Sequence, residues 1–282
     1  MGQWTVMRHF DCSNNQITNI PNEIGRMLAL TELNVSFNKV LELPNEISGL
    51  TLLVSLEIRD NPALQAVPAL HNLKNLQILS LRNLQIPFLP LDLGKLSSLT
   101  DLDVRDNPQI RELPRDIGLL KNLKKLDCYG NKMRTLPPDI GNLTNLIVLD
   151  LRNNQLSAET LPREIGKLTN LKKMLLSANQ LNAIPPEIKY LNNLHDLDVS
   201  NNILSTIPDE IGGLAHLQRL NISGNKLTSL PSAMGKLTSL ITLDAKSNEI
   251  AELPVEMGKL SSCTKIDVSH NMLTEIPWEF VS

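Results

Sequence analysis

One unit of about 23 residues recurs from one end of this 282-residue chain to the other. It reads Leu-x-x-Leu-x-Leu-x-x-Asn-x-Leu-x-x-Leu-Pro-x-x-Ile-Gly-x-Leu, and one copy runs from Leu217 through Asn225 and Pro231 to Leu237. Nine of the eleven intervals between successive Asn slots are 23 residues long, and the other two are 24 and 25. The slots are Asn15, Asn38, Asn61, Leu84, Asn107, Asn131, Asn154, Asn179, Asn202, Asn225, Asn248 and Asn271. A constant period of this length predicts a stack of similar coils.

Each unit has two parts with different patterns. The Leu-x-Leu part has the two-residue period of a strand with one buried face. The Pro-x-x-Ile-Gly-x-Leu part is too short for an independent helix, so it predicts a helical or 3₁₀ turn. We therefore predict an α/β leucine-rich-repeat solenoid, or horseshoe, of about twelve repeats, with a parallel concave β-sheet and short turns on the convex side. Leu84 interrupts the Asn series, which predicts a looser turn near Pro87.

The repeat leaves no room for a linker or a low-complexity segment. We expect residues 1–282 to form a single leucine-rich-repeat domain. Neither end carries a polar capping unit, and the chain stops at Ser282 within the last outer segment. Solenoids usually need such caps, so the chain is either a fragment of a longer protein or an uncapped one.

Composition argues against several classes of function. The net charge of −3 gives no general attraction to nucleic acid. Three separated cysteines without a C-x-x-C pair predict neither a disulfide framework nor a zinc site. The start Met1-Gly2-Gln3 does not resemble a secretory signal, and no apolar run is long enough for a transmembrane segment. We predict a cytoplasmic protein without cofactor, metal or catalytic residues, and therefore not an enzyme.

Two rows of variable residues are expected on the concave side of the sheet. The first row lies between the second and third Leu of each unit and is mostly Asp or Asn, as at Asp103, Asp127 and Asp150. The second row follows the third Leu and is usually Ser. Coils three to seven replace that Ser with larger side chains, namely Arg59, Arg82, Arg105, Tyr129 and Arg152.

This substitution of Ser predicts a protein-binding surface. Arg and Tyr are enriched at interface hot spots, and Phe37 and Leu175 add apolar contacts on the same side. The Asp row would repel phosphates, which disfavours nucleic acid. The alternative is a solvated salt-bridge lattice in which the Asp side chains neutralise the Arg side chains.

The unit with Leu113-Pro114-Arg115-Asp116-Ile117-Gly118 resembles the intracellular Ras-group leucine-rich-repeat proteins, which include plant members and a Ras-binding animal scaffold that recruits a phosphatase. The resemblance covers the whole chain. It implies a cytosolic signalling adaptor whose partner is a small GTPase or a signalling enzyme, and an Asn side chain that bonds to the backbone of adjacent turns. The phosphatase-docking motif is absent, because Lys39-Val40-Leu41-Glu42 ends in Glu rather than an aromatic residue.

Two alternatives to the adaptor remain open. The chain can be the recognition or sensor portion of a larger multidomain kinase, GTPase or immune receptor. It can also be a structural spacer without a dedicated partner, in which case the Arg side chains only neutralise the Asp side chains.

Overall fold

The structure is a computed structural model that describes residue 4, residues 6–157 and residues 161–280. The chain divides into two compact units, residues 1–133 and residues 134–282. Each unit contains six of the twelve predicted strands, and each is built from the same repeated coil.

In the first unit, six three-residue strands pair in parallel and in chain order. Each middle residue, such as Leu33, stands opposite the middle residue of the next strand, here Leu56. The constant period sets this register, because equal coils bring equal positions side by side. The strands are β1 His9–Asp11, β2 Glu32–Asn34, β3 Ser55–Glu57, β4 Ile78–Ser80, β5 Asp101–Asp103 and β6 Lys125–Asp127.

The second unit repeats this arrangement with its own six strands, again parallel and in chain order. The strands are β7 Val148–Asp150, β8 Lys173–Leu175, β9 Asp196–Asp198, β10 Arg219–Asn221, β11 Thr242–Asp244 and β12 Lys265–Asp267. The predicted parallel sheet is therefore confirmed in every coil.

The core of each unit consists of aliphatic side chains at the repeated Leu and Ile slots. Leu102, Ile117 and Leu120 of one coil, for example, are all 1% exposed or less. Full burial of a Leu or Ile side chain contributes about 1.5 to 3 kcal/mol relative to exposure. The scarcity of aromatic residues follows, because identical stacked slots are filled by identical aliphatic side chains.

The predicted outer turns are 3₁₀ segments. In nine of them a Pro with φ near −70° stands just before the segment, as Pro114 does, and its carbonyl accepts the first hydrogen bond, here from Ile117 N–H. Pro fixes this dihedral angle in advance. The segments are Asn22–Arg26, Asn45–Gly49, Leu93–Lys95, Arg115–Leu119, Pro138–Asn142, Arg163–Lys167, Pro186–Tyr190, Asp209–Gly213, Ser232–Lys236, Val255–Lys259 and Trp278–Phe280.

The Gly of these segments is needed because adjacent coils approach closely there. A Cβ atom added to Gly141 would lie 2.5 Å from the carbonyl oxygen of Glu164, and one added to Gly166 would lie 2.7 Å from that of Glu187. Both contacts are with backbone, which cannot swing away as a side chain can. The Gly slot therefore sets the spacing of the coils on the outer side.

The Asn ladder joins neighbouring coils within each unit. The side-chain amide of Asn107 donates to the carbonyls of Leu81 and Val104 at 2.8 and 2.9 Å. Its Oδ1 accepts a hydrogen bond from Leu84 N–H at 3.1 Å. These bonds satisfy buried backbone groups that have no partner within the short strands.

Leu84 itself is well packed, and the departure in its coil lies further on, where the 3₁₀ segment Leu93–Lys95 is short and follows Asp92 with φ 64°. Its side chain is completely buried, and its own N–H is bonded to Asn107. The carbonyl of Ile58 accepts a hydrogen bond from the side-chain amide of Asn61, and the carbonyl of Leu81 accepts one from that of Asn107. The two neighbouring Asn residues therefore satisfy these carbonyls without an Asn at position 84, and an apolar side chain fills the slot.

Candidate protein-binding surface

The predicted contact residues of the first unit lie along the exposed side of its sheet. We call Phe37, Arg59, Arg82, Arg105 and Tyr129 the first-unit sheet face. Phe37 is 44% exposed and the other four are partly exposed. The last four follow strands β3 to β6 at the same distance, so they form a row across neighbouring strands that are about 4.8 Å apart.

Most residues at the end of a strand have a structural role. Their side-chain oxygen accepts a hydrogen bond from the backbone N–H two residues later, as Asp103 does from Arg105 at 3.1 Å and Asp127 from Tyr129 at 3.3 Å. This is an Asx turn, which ends the strand locally. The residues that make it are Asp11, Asn34, Asp103, Asp127, Asp150, Asp198, Asn221, Asp244 and Asp267. The Asp row of the sequence is explained by this turn.

At two of these strand ends, Asp11 and Asp267, the turn lowers the pKa of the aspartate. The hydroxyl of Ser269 donates to Asp267 Oδ1 at 2.6 Å, and its backbone N–H donates to the same oxygen at 3.0 Å. Hydrogen bonds to the charged form, first that of the Ser269 hydroxyl, hold the pKa of Asp267 below its usual value.

Arg105 is fully engaged within the protein. Its Nε and Nη2 donate to the two carboxylate oxygens of Asp103 at 2.9 and 2.7 Å, and its Nε lies 3.4 Å from Asp127 Oδ2. The hydrogen bond with Asp103 is the main reason that the pKa of Arg105 lies above its usual value. Asp127 is only 5% exposed, so it supports Arg105 from below rather than facing a partner.

The other two arginines of the first unit are held less tightly. Arg82 Nε donates to Asp106 Oδ2 at 3.2 Å. Arg59 Nε lies 3.6 Å from Glu57 Oε2 and makes no hydrogen bond. Glu57 is longer than the Asp of most coils, which is why it does not make the Asx turn that would fix it. The engagement of the guanidinium groups therefore decreases from Arg105 to Arg82 to Arg59.

Phe37 occupies an unusual backbone conformation. The residue before each ladder slot has a positive φ, and Phe37, which precedes Asn38, has φ 55°. Asn, Asp and Gly fill most of these positions, because they tolerate the left-handed region. A larger side chain costs about 1 to 2 kcal/mol there. The guanidinium of Arg59 lies over the Phe37 ring in a cation–π contact, with its Cζ 5.3 Å from the ring centroid.

The second unit contains the remaining predicted contact residues. Arg152 Nη2 donates to Asp150 Oδ2 at 2.5 Å, and its Nε lies 2.9 Å from Asp150 Oδ1. Asp150 is 4% exposed. As in the pair of Arg105 and Asp103, the guanidinium donates to both oxygens of the carboxylate. Leu175 ends strand β8 and is partly exposed.

The positive-φ slot is a feature that the sequence reading missed. It recurs at every coil, directly before the Asn ladder position, at Asn14, Phe37, Asp60, Asn83, Asp106, Gly130, Asn153, Ala178, Asn201, Gly224, Ser247 and His270. The excess of Asn, Asp and Gly at this slot is the signal that could have revealed it.

Other kinds of site have little support in this fold. Among the residues that the structure describes, no group of three His, Cys, Asp or Glu side chains is placed to hold a metal ion. Within those same residues, no helix is long and apolar enough to cross a membrane.

Comparisons with known proteins agree with this architecture. A family model described as "Leucine-rich repeat region" matches residues 60–183, 147–248 and 186–273, and one described as "Leucine Rich Repeat" matches residues 7–27. A search of curated protein sequences found no match.

Solved structures extend the likeness over nearly the whole chain. A leucine-rich-repeat protein of Leptospira interrogans is 33% identical with a TM-score of 0.80, and the match covers 97% of this chain and 75% of that one. A TDR receptor is 29% identical with a TM-score of 0.85, over 95% of this chain and 48% of that one. The Arabidopsis receptor kinase HAESA, in complex with the peptide hormone IDA and the co-receptor SERK1, is 28% identical with a TM-score of 0.78, over 96% of this chain and 47% of that one.

The chain thus spans about half the length of the two receptor chains. The repeat, the Asn ladder, the parallel strands and these matches lead to one conclusion. The protein belongs to the leucine-rich-repeat family.

Proposed function

We propose that this protein is a non-catalytic scaffold that binds a protein partner on the concave side of its sheet, through the first-unit sheet face. The observation that carries the proposal is the change from Ser to Arg or Tyr at Arg59, Arg82, Arg105 and Tyr129. Six of the twelve coils keep Ser at this position, as Ser200 and Ser223 illustrate. Neither the core nor the ladder requires a larger side chain there.

Two features make this surface suited to a protein rather than a nucleic acid. Arg and Tyr combine area with directional hydrogen bonds, which is the composition of interface hot spots. The carboxylates of Glu57, Asp60, Asp103 and Asp106 lie among the Arg side chains, so phosphates would be repelled. Arg152 and Leu175 form a smaller contact point that we assign to the second unit, whereas the buried Asp150 holds Arg152.

The finer proposal is that the protein acts in the cytoplasm as an adaptor in Ras-like signalling, with a small GTPase or a signalling enzyme as its partner. The support is the Leu-Pro-x-x-Ile-Gly unit, as at Leu113-Pro114, which resembles the intracellular Ras-group proteins. The second candidate is the recognition portion of a larger receptor or kinase. The observation that favours it is that this chain spans about half of the matched receptor chains. The reading frame of the parent gene distinguishes the two.

The binding proposal is tested with Arg82→Glu combined with Tyr129→Ala. Partners retained by the wild type from a lysate of the source organism are identified by mass spectrometry, and the affinity of the purified pair is measured by calorimetry. Two hot-spot losses should together weaken binding by about 100-fold or more. Arg105 is left unchanged, because its pairing with Asp103 supports the fold.

Lys246→Glu is the matched control, since Lys246 occupies the same row in the second unit and pairs with Asp244 at 3.6 Å. We expect it to bind like the wild type. Equal affinity of all three proteins would place the partner elsewhere. A confirmed partner set without a GTPase or signalling enzyme would remove the signalling assignment and leave the scaffold function intact.

A further inference from the structure

We infer that Arg59, stacked on Phe37, is the anchor that takes a carboxylate group of the partner, so that the first-unit sheet face recognises a peptide segment with one Asp or Glu beside an apolar residue. This inference rests on the proposed binding function and names the chemistry of the partner. It follows from the unequal engagement of the three Arg side chains.

The first step is that Arg59 retains unused donors. Its Nε is buried from water yet makes no hydrogen bond, and Glu57 Oε2 stands at 3.6 Å. A buried unpaired donor is unfavourable unless something else completes it. In Arg105, by contrast, Nε and Nη2 already donate to the two carboxylate oxygens of Asp103 at 2.9 and 2.7 Å. The other donors of the Arg59 guanidinium belong to a side chain that is 36% exposed, and they match the oxygens of a carboxylate.

The second step is that the surroundings of Arg59 are also incompletely satisfied. Ser36 is 1% exposed, and its hydroxyl has no hydrogen-bond partner. The equivalent hydroxyls of Ser200 and Ser223 each bond at 2.7 Å to the residue at the end of the preceding strand. Ser36 is followed at once by Phe37 with its positive φ. Unsatisfied and strained groups that persist together point to a ligand site rather than to folding.

The third step is that Phe37 orients the guanidinium group. With the Arg59 Cζ 5.3 Å from its ring centroid, the ring supports one face of the guanidinium and leaves its edge for a ligand. The nearby carboxylate of Glu57 makes a phosphate dianion unfavourable, whereas a single carboxylate can replace Glu57. An apolar ring beside one cation therefore fits an acidic side chain next to an apolar one.

The test uses the full chain and a displayed library of random dodecapeptides as the probe. We expect the selected peptides to share one Asp or Glu beside an apolar side chain. A synthetic copy of the best binder should lose about tenfold or more in affinity for Arg59→Gln, as expected for a lost charge-assisted pair. Lys246→Gln, in the same row of the second unit, should change the affinity by less than about twofold.

A double-mutant cycle assigns the contact. Replacing the critical Glu of the peptide by Gln should weaken binding to the wild type by about tenfold, and binding to Arg59→Gln by less than about twofold. Independent, additive losses would overturn the inference. Selected peptides that share no Asp or Glu, and that depend on Arg82 and Tyr129 but not on Arg59, would overturn it while leaving the proposed function standing. Failure to select any peptide would count against the inference about Arg59 and against the proposed binding function.

A second readout separates binding from stability. Phe37→Asn should raise Tm by about 1 to 3 °C because Asn tolerates a positive φ. It should also weaken binding of the selected peptide by about tenfold. Ser247→Asn, at the same slot with φ 56°, should also raise Tm but leave peptide affinity unchanged. If Phe37→Asn kept full affinity, the stacked ring would have no part in recognition.

Discussion

Replacing Asn107 by Ala is expected to lower the free energy of unfolding by about 3 to 5 kcal/mol. Asn107 is fully buried, and its side chain makes two hydrogen bonds to the preceding coil and two within its own coil. Without its side chain, the Leu84 N–H and the Leu81 carbonyl lose the partners described above. Each buried unsatisfied group costs about 1 to 3 kcal/mol, and the lost side chain also leaves a cavity.

Asn15→Ala is the matched control for this prediction. Asn15 occupies the same slot in the first coil, but it is exposed and donates only to Cys12 and Ser13 of its own coil. We expect it to cost less than about 1 kcal/mol. The measurement is urea-induced unfolding followed by circular dichroism. Equal losses for Asn107→Ala and Asn15→Ala would show that the bonds between coils add nothing to stability.

The second large effect is expected for Gly235→Ala. A Cβ at Gly235 would lie 2.3 Å from the carbonyl oxygen of Glu256 and 2.7 Å from its Cβ. Because backbone blocks the new atom, the two 3₁₀ segments must separate. Overpacking of this kind costs about 1 to 3 kcal/mol, and we expect the upper end of that range.

Gly49→Ala tests whether the effect is due to crowding rather than to the loss of Gly. Its nearest neighbour would be the carbonyl oxygen of Gly25 at 3.5 Å, an ordinary contact, and Gly49 also lies in a 3₁₀ segment. We expect Gly49→Ala to be neutral or to stabilise by about 0.5 kcal/mol, since Ala restricts the unfolded chain. The stability of both variants is measured by thermal unfolding. Similar losses of stability would contradict the role given to Gly235.

The sequence predicted the architecture because a period of 23 residues identifies equivalent positions directly. The parallel strands, the 3₁₀ turns after Pro and the buried aliphatic slots all follow from that equivalence. A period does not reveal backbone dihedral angles, so the positive φ at Phe37 remained hidden. It also does not reveal how closely adjacent coils approach each other, so the steric role of Gly141 appeared only with the contact to Glu164.

The candidate surface was predicted in composition but not in detail. The row of Arg59, Arg82 and Arg105 could be read from the repeat, whereas the state of each guanidinium could not. The guanidinium of Arg105 is paired because both carboxylate oxygens of Asp103 accept its hydrogen bonds. The guanidinium of Arg59 makes no hydrogen bond through Nε because Glu57 is one carbon longer than Asp. The buried Asp127 and Asp150 appeared from the sequence to face a partner, and in the structure they hold Arg105 and Arg152.

We expect the sheet face, and not the outer side, to contact the partner, and the two tyrosines distinguish these sides. A photoreactive benzoyl-phenylalanine is placed at Tyr129, on the first-unit sheet face, or at Tyr190, which is 52% exposed on an outer 3₁₀ segment. After illumination with the partner, the crosslinked fraction is measured by gel electrophoresis and mass spectrometry. We predict a covalent adduct from position 129 and none from position 190. An adduct from position 190 with none from position 129 would contradict the account.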